Sequence, residues 1–69
     1  MDNLILQKKS GKTIHFLNAD YKIHDEIVVV SENVPDELVG GFTSVKQVFR
    51  KDEIEYIRPE TALSETVIL

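Results

Sequence analysis

Short apolar runs separated by polar turns make up this chain, and the alternation within the runs predicts β-strands. In residues 13–17, Ile14 and Phe16 lie on one face of an extended chain and their neighbours on the other. The polar stretch before this run contains Gly11, which readily adopts positive φ, so residues 4–17 are typical of a β-hairpin. We therefore predict an all-β domain. Its strands are expected near residues 3–8, 12–17, 26–31, 42–49 and 54–58.

The strongest strand signal is in residues 26–32, where Ile27 is followed by three valines. Their β-branched side chains favour extended backbone and fall on both faces of the strand. Such a strand is expected to be central in the sheet, or to have its second face covered by another element. The predicted core consists of Leu4 or Ile5 together with Leu6, Ile14, Phe16, Ile27, Val29, Val48, Ile54 and Ile57.

Two adjacent segments leave alternatives open. Residues 33–41 are predicted to form a loop, because Pro35 lacks a backbone donor, and residues 35–38 have the composition of a single helical turn. Residues 42–49 resume a strand pattern that becomes regular only with a β-bulge near residues 44–46. A short helix over residues 44–51 is the rival interpretation.

The last predicted strand ends at residue 58, so we predict a small β domain over residues 1–58 and a tail over residues 59–69. The tail ends in three apolar residues, Val67, Ile68 and Leu69. They are expected either to pack on the sheet or pair as an edge strand, or to mediate self-association. A homodimer in which the tail covers the second face of residues 27–30 would supplement the limited core of a 69-residue chain.

The charge distribution is uneven, with a net charge of -4 and with five carboxylates but no Lys or Arg between residues 23 and 45. We interpret these carboxylates as a docking surface for a basic protein partner. They are Asp25, Glu26, Glu32, Asp36 and Glu37. The acidic balance argues against a broad nucleic-acid-binding surface, since that function needs clustered cations. The alternative is a small basic patch formed by Lys8, Lys9, Lys12, Arg50 and Lys51.

Candidate chemistry is sparse. The chain has no cysteine, and His15 and His24 do not have the spacing of a known zinc site, so we predict no metal and no cofactor. No nucleophile with a base can be assigned, and the protein is predicted not to be an enzyme. Because no apolar run approaches the length of a membrane span and no signal peptide is evident, we expect a cytoplasmic protein that does not bind a membrane.

Residues 48–57, VFRKDEIEYI, resemble the end of SH3-like barrels, in which a 3₁₀ turn precedes a short final strand. Residues 50–53 correspond to the turn and residues 54–57 to the strand. Residues 4–57 as a whole resemble small β-sheet accessory proteins of Gram-positive phages and mobile elements.

This resemblance implies a five-stranded SH3-like barrel or a strongly bent antiparallel sheet. It also implies a regulator or inhibitor of a host protein. With no catalytic constellation in the sequence, the expected function is a non-enzymatic protein-interaction module whose partner is unidentified. A weak nucleic-acid-binding small barrel is the alternative.

Overall fold

Six antiparallel strands form one sheet in the computed structural model, which describes residues 2–69. The strands are β1 (Asp2–Lys8), β2 (Thr13–His24), β3 (Ile27–Asp36), β4 (Gly41–Arg50), β5 (Ile54–Pro59) and β6 (Val67–Ile68). Their order across the sheet is β4-β3-β2-β1-β5-β6. The all-β prediction is confirmed. The closed five-stranded barrel is wrong, because there are six strands and, among the described residues, β4 and β6 each pair with a single neighbour.

The sheet bends along β2. The first half of this strand pairs with β1 and the second half with β3, and Ala19 has a partner on each side, Asp2 and Glu32. Asn18, immediately before the change, has a positive φ of 53°, which interrupts the regular strand twist. The bend brings Phe16 of β2 against Phe49 of β4, with ring centroids 6.0 Å apart in an edge-to-face arrangement. The predicted alternative of a strongly bent sheet therefore describes its shape better than a barrel.

The core lies inside this bend. The core cluster consists of Leu4, Leu6, Phe16, Ala19, Val28, Val30, Ile54 and Ile57. Ile5 is also buried but is not part of this cluster. The prediction was wrong at Ile27, Val29 and Val48. In β3 the buried face is the one that carries Val28 and Val30, and Val28 lies opposite Phe49 of β4. Because all four residues from 27 to 30 are apolar, alternation alone gives no phase for this strand.

The segment predicted as a loop is mostly strand. β3 continues to Asp36, which pairs with Gly41, so only the four residues 37–40 form the turn. Neither a helical turn nor a helix occurs in this part of the described chain. The β3–β4 register is continuous, so the predicted bulge near residues 44–46 is also wrong. No bulge is needed because β4 is exposed on both faces over most of its length.

Pro35 fits this strand because β2 turns away from β3 before reaching it. The pairing of β3 with β2 stops at Glu32, so beyond it β3 has a neighbour only on the β4 side. The Lys51 N–H donates to the Glu26 carbonyl at 2.8 Å, which fixes the alternation of the hydrogen bonds along the hairpin. In that alternation Pro35 and its partner Phe42 form a non-hydrogen-bonded pair. The missing N–H of the proline therefore faces the side on which β3 has no neighbour.

The tail belongs to the same sheet. A 3₁₀ turn over Leu63–Glu65 leads into β6, in which Val67 pairs with Ile57 of β5. The Leu69 N–H donates to the Glu55 carbonyl at 3.1 Å, and the side chains of Val67 and Leu69 pack against the core. The expectation that this segment pairs as an edge strand is confirmed. A second 3₁₀ turn, Lys51–Glu53, precedes β5, as the resemblance implied.

Candidate functional site

The turn between β3 and β4 presents apolar side chains to solvent. We call residues 37–40 the hairpin tip. Leu38 is 97% exposed and Val39 is 68% exposed. Exposing both side chains forgoes the free energy that their burial would contribute, about 1.5–3 kcal/mol for each. Adjacent apolar residues at the end of a projecting hairpin are typical of a contact surface for another molecule.

The hairpin tip has a defined conformation, which Asp36 stabilises. One carboxylate oxygen of Asp36 accepts a hydrogen bond from the Leu38 N–H at 3.0 Å, and the other accepts one from the Thr43 hydroxyl at 2.7 Å. These bonds, first the one from Thr43, lower the pKa of the Asp36 carboxyl from its ordinary value of 3.8. Gly40 adopts a φ of 69°, which a glycine accommodates without strain. The backbone that carries the exposed apolar side chains is therefore held in a defined conformation.

The acidic residues predicted as one surface lie apart. Asp25 and Glu26 form the turn between β2 and β3, whereas Asp36 and Glu37 lie at the other end of β3. At the usual rise per residue a ten-residue strand spans about 30 Å, so the two pairs flank opposite ends of the hairpin. Glu32 lies between them, and its carboxylate accepts the Leu17 N–H at 2.9 Å. Only Glu37 shares the tip with the exposed apolar residues.

β4 forms a long exposed edge of the sheet. Three apolar side chains on this strand are solvent-accessible: Phe42 is 65% exposed, Val45 is 41% exposed and Val48 is 62% exposed. The hydrogen-bond alternation along the hairpin directs the backbone groups of the odd-numbered residues of β4 to β3. The backbone N–H and C=O groups of the even-numbered residues, from Phe42 to Arg50, point away from the sheet.

The basic residues predicted as an alternative site are partly brought together. The Lys9 N–H donates to the Glu53 carbonyl at 2.9 Å, which holds the β1–β2 turn against the 3₁₀ turn before β5. A cleft of about 390 Å³ between them is lined by Lys8, Lys9, Ser10, Asp52 and Glu53. The lining is thus of mixed charge. Arg50 adds to the mixture, since its guanidinium lies 3.0 Å from the Asp52 carboxylate.

A groove that the sequence did not predict lies on the outer face of β2, β3 and β4. It has a volume of about 380 Å³ and is lined by Asp20, Tyr21, Lys22, His24, Val29, Ser31 and Lys46. Strand alternation in the sequence places Lys22 and His24 on one face of β2, so this part of the groove was predictable. Their proximity to Lys46 depends on the register, which sets Asp20 beside Ser31 and Ser31 beside Lys46.

The remaining candidates are dispersed. His15 and His24 are exposed at opposite ends of β2, and within residues 2–69 no three His, Cys, Asp or Glu side chains converge as ligands for a metal ion. Of the three tail residues predicted to mediate self-association, only Ile68, which is 81% exposed, is directed away from the core.

Comparison with models of protein families, with curated proteins and with solved structures gives no significant match to this chain. Among residues 2–69 there is also no helix with the length and apolar character needed to cross a membrane.

Proposed function

We propose that this protein is a non-enzymatic interaction module that docks onto a partner protein through its hairpin tip. The observation that carries the proposal is the near-complete exposure of Leu38 on a turn that Asp36 holds in a defined conformation. A preorganised apolar anchor loses little conformational entropy on binding. The partner surface that fits it is an apolar pocket with a basic rim, since Glu37 lies beside Leu38 and Val39.

The biological setting of the proposal rests on the resemblance to phage and mobile-element proteins. In that setting the module regulates or inhibits a host protein in the cytoplasm. The suggested SH3-like relationship is supported by the 3₁₀ turn Lys51–Glu53 and the strand that follows it. A chain without cysteine has no disulfide to lose in a reducing compartment.

The experiment begins by placing a photo-activatable amino acid at Val39 and identifying by mass spectrometry the protein to which it cross-links in host lysate. The affinity of the purified partner is then measured for the wild type and for Leu38→Ser. We expect Leu38→Ser to weaken binding at least tenfold, because a buried leucine contributes about 1.5–3 kcal/mol and tenfold corresponds to about 1.4 kcal/mol.

Leu63→Ser is the matched control. Leu63 is also highly exposed, at 71%, but lies in the 3₁₀ turn before β6 at the opposite edge of the sheet. The control is expected to bind as the wild type does. Equal weakening by both substitutions would show that the tip is not the docking site, and recovery of nucleic acid without protein would contradict a protein partner.

Weak nucleic-acid binding is the second candidate, favoured by one observation: the turn carrying Lys8 and Lys9 is held against the 3₁₀ turn that contains Lys51. Asp52 and Glu53 in the same cleft oppose this function by repelling phosphates. If the protein binds nucleic acid in this way, a plot of the logarithm of the binding constant against the logarithm of the salt concentration should have a slope of about -0.7 to -0.9 for each phosphate contacted. A mobility-shift titration with single- and double-stranded oligonucleotides tests this, and absence of binding at low salt eliminates the candidate.

A further inference from the structure

The exposed edge of β4 is self-complementary in one antiparallel register. Consider two copies that pair edge to edge through β4 around a two-fold axis perpendicular to the sheet. Residues that face each other across this contact have side chains on the same side of the sheet, so both have even numbers or both have odd numbers, and the sum of the two numbers is even. The register with a sum of 90 places Phe42 opposite the partner's Val48, and Val45 opposite the partner's Val45. All three exposed apolar side chains of β4 then contact apolar side chains.

The neighbouring registers lack this match. With a sum of 92, Lys46 faces the partner's Lys46 and Phe42 faces the partner's Arg50, so like charges meet at the axis. With a sum of 88, Phe42 faces the partner's Lys46 and Val45 faces the partner's Thr43. Of these three registers, only the one centred on Val45 both separates the two copies of Lys46 and pairs the apolar residues with each other.

The backbone fits the same register. The even-numbered residues of β4 direct their N–H and C=O groups outward, so Phe42 with the partner's Val48, and Ser44 with the partner's Lys46, exchange hydrogen bonds in both directions. Val45 then forms a non-hydrogen-bonded pair with the partner's Val45, the arrangement in which cross-strand side chains approach most closely.

We infer that the protein forms a symmetric homodimer through β4, joining two six-stranded sheets into one continuous sheet. The dimer satisfies the outward backbone groups of the long edge, which in a monomer form a template for uncontrolled strand pairing. It is also closed, because the same edge is used by both copies. The opposite edge, β6, has only two residues and offers no comparable pairing.

The register is tested with single cysteines in this cysteine-free chain. Val45→Cys places two thiols across the axis at a Cα separation of about 4.5 Å, which is within disulfide range. We expect mild oxidation to convert it to a covalent dimer. Gln47→Cys lies on the same face of β4, but its two copies would be about 13 Å apart along the strands, so it should remain uncross-linked.

The edge itself is tested by Ser44→Pro, which removes an outward N–H that β3 does not use. By light scattering at high micromolar concentration the wild type is expected to have twice the chain mass of 7.9 kDa. Ser44→Pro should have the mass of a single chain with an unchanged far-UV circular dichroism spectrum, and Ser44→Ala, which keeps the N–H, should remain dimeric.

A monomeric wild type at that concentration overturns the inference. So does a dimer in which Gln47→Cys cross-links as fast as Val45→Cys, since that result places the contact elsewhere or in another register. Neither measurement involves another protein, so either result leaves the proposed docking of the tip untouched. Conversely, failure of Leu38→Ser to affect partner binding leaves the dimer intact.

Discussion

Two regions of the sheet contain the same kinds of apolar residue but differ in whether those residues are buried. In β1, β5 and the first half of β2, apolar side chains such as Leu6, Phe16 and Ile57 are at most 1% exposed. In β4 and the hairpin tip, Phe42 and Leu38 are in solvent. The strands of both regions pair antiparallel with a neighbour, so strand pairing does not distinguish the two regions. Burial does: the first region stabilises the fold, and the second is available for contacts with other molecules.

The largest effect is expected from making the same substitution in both regions. Phe16→Ala removes a ring that is 1% exposed and in contact with Phe49, and we expect it to lower the free energy of unfolding by about 3–5 kcal/mol. That loss approaches the whole stability of a domain of this size, so the variant should be largely unfolded. Phe42→Ala, at a position 65% exposed, should cost less than about 1 kcal/mol.

Urea denaturation at low micromolar protein concentration, where association contributes little, measures both changes. A cost for Phe42→Ala that approaches that of Phe16→Ala would mean that the hairpin packs against the core. The distinction between the two regions would then be lost.

An intermediate effect is expected within β3, where the two faces can be compared at neighbouring positions. Val28 is fully buried and Val29 is partly exposed on the other face. Val28→Ala should lower the free energy of unfolding by about 2 kcal/mol, from lost methyl burial and the cavity left behind, and Val29→Ala by less than about 1 kcal/mol. The same denaturation experiment decides the phase of the strand, and the reverse order would assign the core to the other face.

The smallest effect is expected at the hairpin tip. The hydrogen bonds to Asp36 lower the pKa of its carboxyl, so the carboxylate contributes stability that is fully present above the ordinary value of 3.8. This contribution is lost as the pH falls through the lowered pKa of the folded state. It should appear as a loss of protection of the Leu38 amide, measured as its hydrogen-exchange rate relative to the intrinsic rate at the same pH, when the pH is lowered below 3.8, with the protection of the β1 and β5 amides unaffected.

Asp36→Asn, which lacks the charge, should show faster exchange at Leu38 already at neutral pH, with little change in global stability. Asp52→Asn is the matched control, because Asp52 is exposed and contacts only the side chain of Arg50 among the interactions described. If acidification releases the β1 and β5 amides together with that of Leu38, the tip is not a separate local unit.

The exposed residues were harder to assign from the sequence than the buried ones. The loop predicted for residues 33–41 includes Leu38 and Val39, and nothing in their immediate neighbours shows whether an apolar pair is covered by another element. The outer groove with Lys22, His24 and Lys46 was missed for a related reason. Its residues come from three strands, and their meeting depends on pairings that no local pattern encodes.

The sequence by itself determined the class of fold, the approximate strands and half of the core. Alternation and turn residues act locally, and they were sufficient to identify Leu6, Phe16, Ile54 and Ile57 as buried. Tertiary structure decided the phase of residues 27–30, the extension of β3 through Pro35, the addition of β6 and the open edge at β4. Each of these depends on which strand lies beside which and in what register. The arrangement of the strands is set by the free energy of long-range contacts against the loss of chain entropy. The alternation of residues within one segment contains no information about those contacts.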